Sequence, residues 1–319
     1  MSQAYSITIG GSTPSPLVIR NPVMSAAGTF GYGVEYACLL DHSRVGAIVT
    51  KSTTARPRAG APMPRWVETP SGVLNAVGLN NPGIGRVLRE YAPKWDRLRA
   101  PVVLSVAGET VEEYVEVAER AEEAEGIAGL ELNVSCPNVP EGSVWFGTDP
   151  ELAANVTAAV RGVTSLPLIV KLTPNTASVP DVALAVEAAG ADAVSLVNTI
   201  TGLVIDIEMR RPALGNGTGG LSGAAIRPVA VRLVWEVAQV VSVPVIGLGG
   251  ITRAEDALQF IMAGATAVQV GSAGFGRPDT ILTVVDGLAD WMGSHGVGSV
   301  EEIRGCALPG GTAVDESSN

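Results

Sequence analysis

The chain has 319 residues and a formal net charge of −11, is rich in Ala, Val and Gly, and holds only 4% aromatic residues. The acidic balance disfavours nucleic acid and anionic membrane surfaces, which both select a basic face; no apolar run is long enough to cross a bilayer, and the N-terminus lacks the basic and apolar regions of a signal peptide, so a cytoplasmic protein is expected. Cys38, Cys136 and Cys306 are too few and too scattered for a disulfide framework, a metal site or an iron–sulfur cluster, which usually takes four thiolates.

This length accommodates two domains or one α/β barrel. Tyr5 to Ile9 and Leu17 to Arg20 flank a turn-rich stretch and read as a hairpin capping a barrel bottom. Eight aliphatic runs follow as strand candidates: 22–27, 47–51, 102–106, 129–134, 168–172, 193–197, 245–248 and 267–270. They are rich in Val, Ile and Leu without strict alternation, as expected of a buried parallel sheet. Helical patterns lie between them at 34–40, 82–98, 111–125, 150–163, 179–189, 224–240 and 254–263, with 279–292 after the last strand. Thr252 and the Thr148-Asp149-Pro150-Glu151 run give start signals, and Gly190 and Gly264 give stops. Eight β-then-α units predict a (β/α)8 TIM barrel over residues 1–305, with 306–319 as a flexible tail. Two connections, 53–81 and 198–223, are longer than linking requires and mark active-site loops. His42 and His295 follow no strand and are expected at the surface.

In such a barrel the site lies at the C-terminal ends of the strands. Those ends carry Ala27-Gly28, Lys51-Ser52, Ser105, Asn133 to Asn138, Lys171, Asn198-Thr199, Gly249-Gly250 and Gly271-Ser272. The run Glu131-Leu-Asn-Val-Ser-Cys-Pro-Asn138 is the most informative: two amides, a hydroxyl and a thiol at a strand end are costly unless a polar ligand meets them. An ordinary strand-to-loop turn would use similar residues. The chain has eighteen arginines but three lysines, and Lys51 and Lys171 both end core strands. Lysine there supplies a compact point charge with rotatable donors, although long stems can also snorkel from strand ends. The glycine clusters after the last two strands suit a phosphate cradle. A phosphate site, two lysines, several amides and one thiol fit proton abstraction beside a carbonyl coupled to hydride transfer to a flavin.

Together these pieces resemble the dihydroorotate dehydrogenases. The carrying segments are Thr50-Lys51-Ser52, Asn75 to Leu79, Asn133 to Asn138, Val170-Lys171-Leu172, Val197-Asn198-Thr199, Gly219 to Gly223, Gly247 to Gly250 and Gly271-Ser272, within a similarity running from Asn21 to about Arg277. The resemblance implies an FMN-binding barrel that oxidises dihydroorotate to orotate in pyrimidine synthesis. It makes Cys136 the base. Orotate is assigned to Lys51, the loop Asn75-Ala76-Val77-Gly78-Leu79, Asn133, Asn138, Asn198 and Thr199. FMN is assigned to Ala27, Lys51, Ser52, Ser105, Asn133, Lys171 and Val197, with Gly223, Gly249, Gly250, Gly271 and Ser272 at its phosphate. No metal is expected on the chain.

A cysteine at 136 is similar to the soluble class, and residues 215–223 look like its NAD-linked type. That type implies a homodimer joined to a subunit carrying FAD and a [2Fe–2S] cluster, forming a heterotetramer. Ala27 stands where a serine is often found, and Ser105 where an asparagine is often found. Alternatives are a fumarate-reducing homodimer, a dihydropyrimidine dehydrogenase-like barrel, and a flavin-binding scaffold without chemistry.

Overall fold

The computed structural model describes residues 5–11, 13–135 and 146–311; Cys136 and Asn138 lie outside them. Two antiparallel strands open the chain, β1 (Ile7–Ile9) and β2 (Leu17–Ile19). Then come β3 (Val23–Ser25), β4 (Ile48–Val49), β5 (Trp66–Thr69), β6 (Gly72–Asn75) and helix α1 (Ile84–Glu90). Strand and helix next alternate through β7 (Val102–Val106), α2 (Val111–Glu122), β8 (Gly129–Asn133), α3 (Pro150–Arg161), β9 (Leu168–Lys171), α4 (Val179–Ala188) and β10 (Ala193–Leu196). Four short strands follow: β11 (Ile200–Gly202), β12 (Ile205–Asp206), β13 (Arg211–Pro212) and β14 (Gly219–Ser222). The chain continues with α5 (Arg227–Val237), β15 (Val245–Leu248), α6 (Ala254–Met262), β16 (Ala267–Val270), α7 (Ala273–Gly276) and α8 (Thr280–Ser294).

Eight strands form one sheet in the order β3-β16-β15-β10-β9-β8-β7-β4, paired in parallel. A parallel bridge from Met24 to Ala47, with the Ser25 N–H donating to the Ala47 carbonyl at 3.1 Å, brings the two edges together into the expected (β/α)8 barrel. Each observed barrel strand lies within its predicted segment. Side chains alternate across each strand. Leu130, Leu132, Val194 and Val268 face the helices in the large outer core, while Ile169, Ala193, Ile246 and Ala267 face inward. The N-terminal hairpin closes the bottom as expected: Ile7, Ile9, Leu17 and Ile19 share one buried cluster with those inward residues.

Gly190 and Gly264, at φ 98° and 111°, follow α4 and α6 where the stops were expected. Four expectations need correction. Residues 34–40 make only a 3-10 turn at Val34–Tyr36, because Gly33 at its start offers no side-chain cap. The helix expected over 82–98 breaks after Glu90, where Pro93 cannot donate to a continuing ladder, and resumes as a 3-10 segment, Ala92–Leu98. The long loops are structured: β11, β14, β6 and β5 form a four-stranded sheet, and β12 pairs with β13. Finally, His42 is 4% exposed rather than at the surface, edge-on against Phe30. Past the last helix, the Ala307 N–H donates to the Met262 carbonyl and its own carbonyl accepts from Trp235 Nε1, each at 3.0 Å. No helix among the described residues is long and apolar enough to cross a membrane.

Candidate active site

A cavity of about 830 Å³ opens at the C-terminal ends of the barrel strands, within the range of about 300–1,000 Å³ typical of small-molecule and cofactor sites. Lys51, Ser52, Asn133, Lys171, Asn198 and Thr199 all line it, although they come from four strand ends. The glycines expected at a phosphate, Gly223, Gly249, Gly250 and Gly271, line it together with Ser272, as do Ala27, Val197, Asn75, Val77, Gly78 and Leu79. Ala76 and Ser105 are fully buried and do not form its wall.

Ser105 instead orients a neighbour. Its hydroxyl meets Ser52 Oγ at 2.9 Å, Ser52 Oγ accepts from Asn133 Nδ2 at 3.1 Å, and Asn133 Oδ1 accepts from Asn198 Nδ2 at 3.2 Å. This chain of bonds fixes amide orientation across the ends of β4, β7, β8 and β10, so the wall is preorganised for a polar ligand. Ser135 donates to the Lys171 carbonyl at 2.6 Å and holds the turn after β8 against β9. Asn75 comes from the sheet over the mouth, its Nδ2 donating to the Gly220 carbonyl at 3.2 Å. Gly220 is required there, since a Cβ would collide with the side chain of Thr199.

Burial pushes the Lys51 ammonium below the ordinary lysine range, and the charge of Arg65 adds to the shift. Burial does the same to Lys171, opposed by Glu131. Glu131, Ser195 and Gln269 form a buried polar cluster beneath Lys171 that sequence reasoning missed. Glu131 stood in the motif already singled out, and its signal was a carboxylate in the middle of an aliphatic strand.

The far end of the cavity has the chemistry of an anion site. The N–H groups of Gly249, Gly250, Gly271 and Ser272 donate to no acceptor among the described residues. Gly250 has φ +74°, and a Cβ there would stand 2.7 Å from the Gly223 carbonyl, so the loop closes only with glycine. Arg227 Nη1 reaches the Gly250 carbonyl at 3.2 Å and Asp256 at 2.9 Å, bracing the turn from behind. A polyanionic group at one end, amides and two ammonium groups at the other, and an apolar span between them including Ala26, Val197 and Leu248 suit a phosphorylated cofactor with a heterocyclic head such as FMN.

A (β/α)8 barrel with a preorganised, lysine-bearing cavity at its C-terminal face belongs to the enzymes of that fold. The family model described as dihydroorotate dehydrogenase matches residues 15–292. Similar proteins include the dihydroorotate dehydrogenase B (NAD(+)) catalytic subunits of Geotalea uraniireducens, 52% identical over 91% of this chain and 95% of that protein, and of Trichlorobacter lovleyi, 50% identical over 97% and 100%. The catalytic subunit of Geobacillus kaustophilus is 48% identical over 91% of this chain and 92% of its own length. The chain belongs to the dihydroorotate dehydrogenase family.

Proposed function

We propose that the chain is the catalytic subunit of an NAD-linked dihydroorotate dehydrogenase, oxidising (S)-dihydroorotate to orotate in pyrimidine synthesis. The observation that carries this reading is the convergence of Lys51, Lys171, Asn133 and Asn198 on one cavity in a chain about half identical to catalytic subunits of that name. Asn75, Asn133, Asn138 and Asn198, with Thr199 and the Gly78-Leu79 backbone, hold the planar acid by its imide and carbonyl groups. Lys51 supplies positive charge to the substrate, and Lys171 faces the cofactor. Cys136, as thiolate, takes the proton from C5 while C6 gives up hydride, leaving a C5=C6 double bond. FMN, when bound, supplies the hydride acceptor, its phosphate held by Gly223, Gly249, Gly250, Gly271 and Ser272. Electrons leave to NAD⁺ through a partner subunit carrying FAD and a [2Fe–2S] cluster; the three cysteines of this chain agree with a cluster held elsewhere. The assembly is a homodimer of the chain joined by two such partners, in the cytoplasm.

The test is spectroscopic. The purified chain is expected to be yellow and to bleach when dihydroorotate is added without oxygen; a colourless, inert protein overturns the reading. Cys136→Ala should keep its colour and bleach roughly 10²–10⁴ times more slowly, the usual contribution of a general base. An unchanged rate removes Cys136 from that role.

A further inference from the structure

Barrel interiors are normally layered with Val, Ile and Leu. In this one, Glu131 stands in the middle of β8 with no exposure. Strand pairing sets it opposite Ser105 on one side and Ile169 on the other, two residues below Asn133 and on the same face. An unpartnered buried carboxylate is costly, and here neighbouring strands meet it. Its Oε2 accepts from Ser195 Oγ on β10 at 3.0 Å and from Gln269 Nε2 on β16 at 2.6 Å. Its Oε1 accepts no hydrogen bond among the described residues and lies 3.8 Å from Lys171 Nζ. The Lys171 side chain is 6% exposed and lines the cavity floor. Two neutral donors thus fix one carboxylate oxygen and leave the other turned to the ammonium.

We infer that Glu131 is a positioning residue that holds Lys171 as an ammonium at the cavity floor, with Ser195 and Gln269 clamping the carboxylate in place. The purpose of that charge, to face a flavin, rests on the cofactor reading above; the charge can be measured without it. Burial acts against the ammonium and Glu131 for it. Other charges are poorly placed to replace Glu131. Among the described residues, Lys51 and Glu68 are the remaining charged side chains on the cavity wall, Lys51 has the wrong sign, and Glu68 belongs to the sheet over the mouth. The adjacent strand β10 offers Ser195, and β16 offers Gln269, both neutral.

Because the chain has three lysines, protein labelled with ¹³C at lysine Cε gives three signals, and Lys171→Met identifies the one belonging to Lys171. In Glu131→Gln the Lys171 signal is expected to titrate at lower pH than in the wild type. Glu131→Asp, which keeps the charge on a shorter stem, should lie between them and carries the test should Glu131→Gln fail to fold. In flavin-loaded protein, the flavin midpoint potential of Glu131→Gln should fall more steeply with pH wherever Lys171 titrates, and that excess slope should vanish in the Lys171→Met background. An unchanged Lys171 titration in flavin-loaded Glu131→Gln, or additive effects in the double variant, overturns the inference alone. A chain that binds no flavin overturns the cofactor reading, and the lysine titration then still decides whether Glu131 holds the charge.

Discussion

Lys51 and Lys171 show how far single residues could be read. In a chain that uses arginine for most positive charge, two of three lysines ended core strands, and both now stand on the cavity wall. Glu131 was equally visible as a letter, but its meaning lies in Gln269, 138 residues away. His42 was misread for a related reason. Its neighbours Asp41 and Ser43 are polar and build a capped turn, and the turn delivers the ring to Phe30. Burial lowers the His42 pKa below the ordinary value, with Asp41 opposing more weakly. As pH falls through about 6.5, the unfolded chain therefore takes up this proton before the folded chain does. The stability contributed by neutral His42 is complete above that pH and is lost below it. Urea midpoints measured between pH 7.5 and 5 should fall for the wild type and fall less for His42→Gln; parallel slopes would mean that the ring does not titrate at this cost.

Strands and helices place these groups by simple periodicity. Alternation along β8 sends Glu131 and Asn133 inward and Leu130 and Leu132 toward the helices. What escaped sequence reading is the four-stranded cover made by β5, β6, β11 and β14. Its strands are three or four residues long, and β6, β11 and β14 carry glycines at pairing positions, so no period is sustained long enough to detect. The join between α5 and α6 was hidden in the same way. Arg227 at the start of α5 meets Asp256 in the first turn of α6, and the pair braces the Gly249-Gly250 turn. Asp256 also accepts from the Thr252 and Arg253 N–H groups at 2.9 and 3.2 Å. The Asp256 carboxylate is fully buried while the Arg227 side chain is 24% exposed, so removing the carboxylate costs about 1–3 kcal/mol, the toll of leaving its donors unmet. Asp256→Ala is accordingly expected to lose stability of that order and to release cofactor on dialysis that the wild type retains; tight retention with unchanged stability would show that the brace is dispensable.

The barrel holds its site by closing both ends of the sheet's interior with different materials. At the bottom, Ile7, Ile9, Leu17 and Ile19 plug it with aliphatic side chains; above them lies the Glu131 cluster, and above that the cavity. Ile9 is fully buried in the plug. Ile9→Ala should destabilise by about 2–5 kcal/mol, the range for a large buried aliphatic residue. Stability equal to the wild type in denaturant would mean the hairpin is not part of the barrel core. Eight strands, their order, the end at which polar residues gather and the hairpin below them were all legible in the chain, because each follows from local composition and the fixed chirality of β-α-β connections. The burial of His42, the sheet over the mouth, the Arg227–Asp256 brace and the aim of Glu131 at Lys171 were not, because each depends on contacts between distant segments once the barrel has closed.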